Sequence, residues 1–239
     1  MRLDRFICEC SGMTRSEAKK NIKHGLVKVN DLVIKDGGFQ VDTASDLVWL
    51  NGQRLEYEKF SYYIFYKPQG CVCASKDNIH DTVFSYVPMN GRGDLITVGR
   101  LDKDTEGLLL ITNDGVFSHN LLSPQKHVDK TYFAIWDKAA TSDDVRAFEE
   151  GLDIGDEDFT KPAILSYDES NPNHVTITIS EGRFHQVKRM SMAVGKEVLY
   201  LKRLFMGKFT LDDTLAPGRY RRFTEREMNY VTEYKSGHI

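Results

Sequence analysis

Around residues 53–60 (QRLEYEKF) the pattern of the chain changes. Before this polar stretch, Leu3, Phe6 and Ile7 fall at helical spacing. Thr14-Arg-Ser-Glu17 then has the spacing of a capping box, which predicts a second helix running through Ala18 and Ile22 to Gly25. LVKVN and LVIKD flank Asn30-Asp31 and read as a hairpin, and Asp42 to Trp49 reads as one further strand. After residue 60 come SYYIFYKP, DLITVGRL, GLLLITND, KTYFAIW, HVTITIS and EVLYLKRLFMGKFTL, all strand-like. VFSHNLL, TSDDVRAFEEGL, RFHQVKRMSMAVG and a last segment around REMNYV read as helices between and after them. The expectation is a small unit over residues 1–58 and a larger α+β domain over 61–232, with a mixed, mostly antiparallel sheet.

Composition narrows the class. The chain has 239 residues, 41% apolar and 28% charged, which fits a globular protein. No run of about 18 apolar residues suggests a membrane span, and the charged start MRLDRFICECSGM does not read as a signal peptide. Cys8, Cys10, Cys71 and Cys73 form two C-x-C pairs rather than zinc-finger spacings. Reduced thiols in the cytoplasm, and no metal, are therefore expected. The net charge is only −3, but it is unevenly distributed. Residues 1–28 hold seven Lys/Arg against three Asp/Glu, and residues 181–208 seven against two. Residues 137–174 hold three against eleven. Such basic segments suit either contact with a polyanion or ordinary solvated helices.

The richest stretch is Gly99-Arg100-Leu101-Asp102-Lys103-Asp104-Thr105-Glu106-Gly107, a charged turn between two apolar strands. Asp102, Asp104 and Gly107 match three positions of a calcium loop. That loop would need a bidentate Glu where Asn113 stands, and helical flanks. Asp102-Lys-Asp104-Thr105 also has the D-x-D-x-T form of a magnesium-dependent phosphatase, but Arg100 interrupts the apolar run that such a site requires.

GRLDKDTEGLLLITNDG resembles the catalytic motif of pseudouridine synthases, in the branch that modifies ribosomal RNA. Tyr66-Lys67-Pro68-Gln69-Gly70 resembles that branch's first motif, Lys130-Thr131-Tyr132 its K-x-Y motif, and Glu181 to Met190 its third motif. Leu201-Lys202-Arg203-Leu204 with Gly207 follows in the expected order. The leading helix–helix–hairpin segment resembles the S4-like RNA-binding domain. The resemblance implies a pseudouridine-synthase catalytic domain that breaks the bond between C1′ and N1 and rejoins C1′ to C5, with no cofactor. It implies Asp102 as the catalytic carboxylate, either attacking C1′ or removing a sugar proton. It further implies Lys188 as the cation beside Asp102, Tyr132 as the ring that stacks on uracil, and Val187 as an apolar wall. Arg100 would contact RNA or fill the gap left by the flipped nucleotide. Arg15, Lys19, Lys20 and Lys23, with Arg183 and Arg189, are the expected phosphate contacts. Asp104 reads as a solvated loop residue, and His185 as structural or RNA-contacting rather than as an acid or base. The partner implied is ribosomal RNA, with the small-subunit (16S) form favoured by the H-Q-V-K version of the third motif, either naked or in an assembling subunit. A synthase for large-subunit (23S) RNA, or a non-catalytic rRNA-binding assembly factor, is the alternative. A monomer is expected, since no heptad seam is visible.

Overall fold

In a computed structural model of the chain, residues 1–87 and 94–236 are described. The chain divides into two compact units: Met1–Ser61 with Asp94 and Leu95, and Tyr62–Val87 with the residues from Ile96 onward. In the first, α1 (Leu3–Ser11) ends at Gly12 in the left-handed conformation. The second helix, α2 (Arg15–Lys23), opens on the anticipated capping box: Glu17 N donates to Thr14 Oγ1 at 3.3 Å, and Thr14 N donates to Glu17 Oε2 at 2.8 Å. Strands β1 (Val27–Val29) and β2 (Leu32–Val33) pair across Asn30 and Asp31, both at positive φ, which is what a two-residue hairpin needs. Strands β3 (Val48–Leu50) and β4 (Gln53–Leu55) complete a four-stranded antiparallel sheet in the order β2-β1-β3-β4. Leu3, Phe6, Ile7, Ala18, Ile22, Val27 and Val48 fill its core.

Two expectations change here. The strand predicted over Asp42–Trp49 begins only at Val48, because Asp42 and Asp46 spend their carboxylates on the backbone N–H groups of Ala44 and Asp42 and close a turn. The polar stretch 53–60 is not merely a bridge. Its first three residues form β4, paired with β3 across the tight turn Asn51-Gly52.

The second unit holds β5 (Tyr62–Lys67), β6 (Ile96–Val98), β7 (Glu106–Thr112), α3 (Gly115–Leu122), β8 (Lys130–Trp136) and α4 (Ser142–Glu150). It continues with β9 (Ile164–Asp168), β10 (Asn171–Ile179), α5 (Gln186–Ala193), β11 (Val198–Met206), β12 (Phe209–Thr210), β13 (Tyr220–Arg222) and α6 (Glu225–Ser236). The sheet runs β13-β5-β7-β11-β8-β10-β9, with β6 beside β7 and β12 beside β11. Only β7 and β11 pair in parallel among these strands, so the sheet is mixed and mostly antiparallel, as anticipated. The short β9 and β13 carried no clear pattern in the sequence.

One core cluster joins Trp136, Phe148, Leu165, Val175, Ile177, Met190 and Leu201 between sheet and helices. Val187, Leu101 and Tyr132 belong to the same cluster, so the turn after β6 and the start of α5 are anchored to it. Where β7 and β11 begin to pair, Gly107 lies at φ +109, and a Cβ there would stand 2.3 Å from the Arg203 carbonyl oxygen. Only glycine permits that approach, which brings the charged turn 99–106 against β11.

Candidate active site

The turn between β6 and β7 is held from beneath. Lys67, the last residue of β5, is fully buried, and its Nζ donates to the carbonyl oxygens of Asp102 (2.9 Å), Thr105 (2.9 Å) and Pro68 (3.0 Å). Gly70 N donates to Lys103 O at 2.7 Å, and Thr105 N to Asp102 O at 3.1 Å. Carbonyl dipoles rather than a carboxylate surround this ammonium, and burial pushes its pKa below the usual lysine range. A lysine inside an apolar strand before Pro68 was the available signal for this role.

So fixed, Asp102 presents its carboxylate to a cavity of about 310 Å³. The cavity is lined by Arg100, Thr105, Lys130, Tyr132, Val187, Lys188 and Arg203 among others. That is at the lower end of the ~300–1,000 Å³ range of small-molecule sites, enough for one extruded base and its sugar. Tyr132 and Val187 are buried in its wall, and Arg100 is exposed at its rim. The five residues expected to meet the target nucleotide therefore line one cavity.

Around Asp102 the arrangement is richer than expected. Lys188 Nζ stands 3.4 Å from Asp102 Oδ2, but 2.6 Å from Asp104 Oδ1. Asp104 is exposed, as expected, and does not line the cavity, but its carboxylate shares the Lys188 ammonium with Asp102. Burial pushes the Asp104 carboxyl up, but the Lys188 ammonium outweighs it and holds that carboxyl below its ordinary value. The shared lysine occupies the space between two carboxylates that a calcium or magnesium reading would give to a cation. Among the described residues, no group of three or more His, Cys, Asp or Glu is arranged to hold a metal ion.

His185, which the sequence marks as structural or RNA-contacting, has its Nε2 3.3 Å from Asp102 Oδ1. Its backbone is left-handed, with φ 48°, so the helix predicted from Arg183 starts only at Gln186. Phe184 stacks on the His185 ring at 3.8 Å between centroids and is largely exposed.

The expected phosphate contacts divide into two groups. On α2, Lys19, Lys20 and Lys23 are exposed along one short helix, while Arg15 lies 3.4 Å from the buried carboxylate of Asp4. Arg2 and Arg15 outweigh burial and hold the Asp4 carboxyl at about 2, with the Arg2 hydrogen bond contributing most. In the second unit Arg183 and Arg189 are committed internally. Arg183 donates to the carbonyls of Asp158 (2.6 Å) and Phe159 (2.7 Å), and Arg189 Nε to that of Ile154 (3.0 Å). Both also pair with Asp156. These arginines fasten the acidic 153–159 segment to the start of α5. A charge count could not reveal this, because most of the acceptors are backbone carbonyls.

The Asp102 carboxylate, within ion-pair distance of Lys188 on a turn whose carbonyls the buried Lys67 holds, thus stands at a cavity with a tyrosine in its wall. Residues 61–193 match the family model described as RNA pseudouridylate synthase, and residues 1–48 match the S4 domain. The chain belongs to the RNA pseudouridylate synthase family and is an isomerase with an S4 RNA-binding domain at its N-terminal end. It is 41% identical, over 98% of its length and 99% of the relative's, to the protein named uncharacterized RNA pseudouridine synthase YtzG of Bacillus subtilis (strain 168). It is 40% identical to ribosomal small subunit pseudouridine synthase A of Haemophilus influenzae (strain ATCC 51907 / DSM 11121 / KW20 / Rd), over 98% of this chain and all of that one. A crystal structure of a pseudouridylate synthase superimposes with a TM-score of 0.68 at 38% identity, covering 97% of this chain and 99% of the other.

Proposed function

We propose that this synthase converts one uridine of small-subunit ribosomal RNA to pseudouridine, in the cytoplasm and as a monomer, with Asp102 as the catalytic carboxylate and no cofactor. The observation that carries the reading is the Asp102 carboxylate between Lys188 and His185, at the wall of a cavity shared with Tyr132. The small-subunit target is favoured by full-length relatives that bear that name, about 40% identical to this chain.

The chemistry needs the target uridine out of the stack, since its C1′ is otherwise hidden. Arg100, exposed at the rim, takes the place the base leaves. Tyr132 receives the ring face of uracil, and Val187 closes the apolar side. Asp102 then acts on the sugar, either by attack on C1′ or by taking a proton. In both routes the N1–C1′ bonding pair goes to the base. The base turns, C5 bonds to C1′ as Asp102 is released, the C5 proton leaves to solvent and N1 takes one up, so the change is an isomerisation and no redox partner is required. Lys188 and His185 direct the carboxylate, while Lys67 fixes the backbone that carries it. Lys19, Lys20 and Lys23 supply sequence-independent phosphate contacts from α2.

The test is tritium release from C5-labelled small-subunit RNA, large-subunit RNA and partly assembled small subunits, each with EDTA. Release confined to small-subunit RNA or its particle is expected. Release from large-subunit RNA alone would transfer the assignment to that substrate, and no release from any of the three would favour the non-catalytic binder.

A further inference from the structure

Two further cations line the cavity with Tyr132, and the reading above does not use them. Lys130 is 9% exposed and Arg203 2% exposed. Lys130 Nζ donates to the Val128 carbonyl at 2.9 Å, and Arg203 Nε to the Leu108 carbonyl at 2.8 Å. Among the described residues, neither lies within ion-pair distance of a carboxylate, and Arg203 Nη2 has no hydrogen-bond partner. Two like charges, buried and unpaired by protein anions, are costly to hold in a fold. Both line the cavity that holds Asp102. Lys130 stands two residues before Tyr132 on the inward face of β8, and Arg203 pairs with Tyr132 across β8 and β11. The two cations are thus buried in the cavity wall on the strands that carry Tyr132, unlike Arg100, which is exposed.

We propose that Lys130, backed by Arg203, receives the negative charge of uracil when its bond to C1′ breaks. This rests on the pseudouridine chemistry proposed above. Cleavage leaves the N1–C1′ electron pair on the base, as an anion spread over N1, O2 and O4. C1′ is meanwhile taken by the Asp102 oxygen or, on the other route, becomes part of a C1′–C2′ double bond. The anion must stay in the cavity while it turns to present C5. A fixed ammonium beside it stabilises the separated state far more than the neutral, bound uridine, which is the condition for raising rate rather than affinity. Rejoining through C5 frees the Asp102 carboxylate (or, on the other route, returns to C2′ the proton Asp102 took) and neutralises the base; loss of the C5 proton is then matched by protonation of N1. The groups facing Lys130 are Arg203 on β11, the neighbouring Asp129, and Glu181 in the turn between β10 and α5. Burial, then the like charge of Arg203, push the Lys130 ammonium down to about 8 against the pull of Asp129 and Glu181. Its charge is thus lost within the range of an ordinary pH profile.

The test measures single-turnover conversion of full-length protein on ribosomal RNA, by rapid quench and nucleoside chromatography, alongside RNA affinity. Lys130→Met is expected to convert about 100-fold more slowly, the size of a lost oxyanion donor, with RNA affinity within about threefold of wild type. The wild-type rate should fall above pH about 8 as Lys130 loses its proton. Lys130→Arg should keep conversion beyond that pH, since a guanidinium stays charged. A Lys130→Met rate within threefold of wild type overturns the proposal. So does a defect that appears only as weaker RNA binding, the mark of a phosphate contact, or a Lys130→Arg profile that breaks where wild type does. If wild type itself makes no pseudouridine on any ribosomal RNA, the underlying reading fails first, which is a distinct result.

Discussion

Replacing Lys130 by Met should make the protein more stable while making it a worse enzyme. The free-energy cost of the charge follows from its displaced titration. Free lysine titrates near 10.5, and in the fold this ammonium titrates at about 8. A gap of that size corresponds to about 3 kcal/mol spent on keeping the proton in the folded state at pH 7. Met fills the same stem volume without the charge, but leaves the Val128 carbonyl without its donor, which costs about 1 kcal/mol. A net gain of about 2 kcal/mol is therefore expected at pH 7. The sign of the pH dependence follows from the lowered folded pKa. Between pH about 8 and 10.5 the unfolded chain holds this proton and the folded chain does not, so wild-type stability gains with pH relative to the variant. The advantage of Lys130→Met should shrink steadily across that window. Urea unfolding at pH 7, 8 and 9.5 measures it. Trp136 fluorescence in a Trp49→Phe background confines the signal to the second unit, where Trp136 is buried. A variant destabilised by more than 1 kcal/mol at pH 7, or a difference that does not change with pH, would refute the reasoning.

Three further outcomes are expected. Lys67→Met leaves the carbonyls of Pro68, Asp102 and Thr105 without their donor, so conversion should be lost and the fold weakened by about 3 kcal/mol, about 1 for each orphaned carbonyl; urea unfolding and the tritium assay check both. Gly107→Ala forces a Cβ onto the Arg203 backbone and should cost more than about 3 kcal/mol, seen as insoluble protein or a large fall in the urea midpoint. Replacing Lys19, Lys20 and Lys23 together by Ala should leave the melting temperature unchanged. It should lower the slope of log affinity against log salt by about 2 in filter-binding titrations on structured RNA.

Much of this was legible because the decisive signals are local. The Thr14–Glu17 box, the Asn30-Asp31 hairpin and the charged turn between β6 and β7 are each set by neighbours a few residues apart. Asp102, Tyr132, Val187 and Lys188 come from four different segments, and their meeting in one cavity was inferred from the order of motifs rather than from any local rule. What stayed hidden depends on contacts distant in sequence. Lys67 looks like a strand-end lysine until the carbonyls of a turn 35 residues away close on it. Arg183 and Arg189 look like RNA ligands until the backbone of 154–159 accepts them. Asp104 is solvated as read, but no local pattern announces its pairing with Lys188, 84 residues later. Gly107 carries no visible reason for its identity until β11 pairs beside it.

The central claim is that Asp102, and not its neighbour on the same ammonium, does the chemistry. The direct measurement is C5-tritium release from ribosomal RNA by Asp102→Asn and Asp104→Asn, each compared with wild type at matched RNA occupancy. Asp102→Asn should bind RNA normally and release no tritium, whereas Asp104→Asn should retain turnover with at most a tenfold loss from looser placement of Lys188. Turnover by Asp102→Asn, or its abolition only in Asp104→Asn, would contradict the assignment.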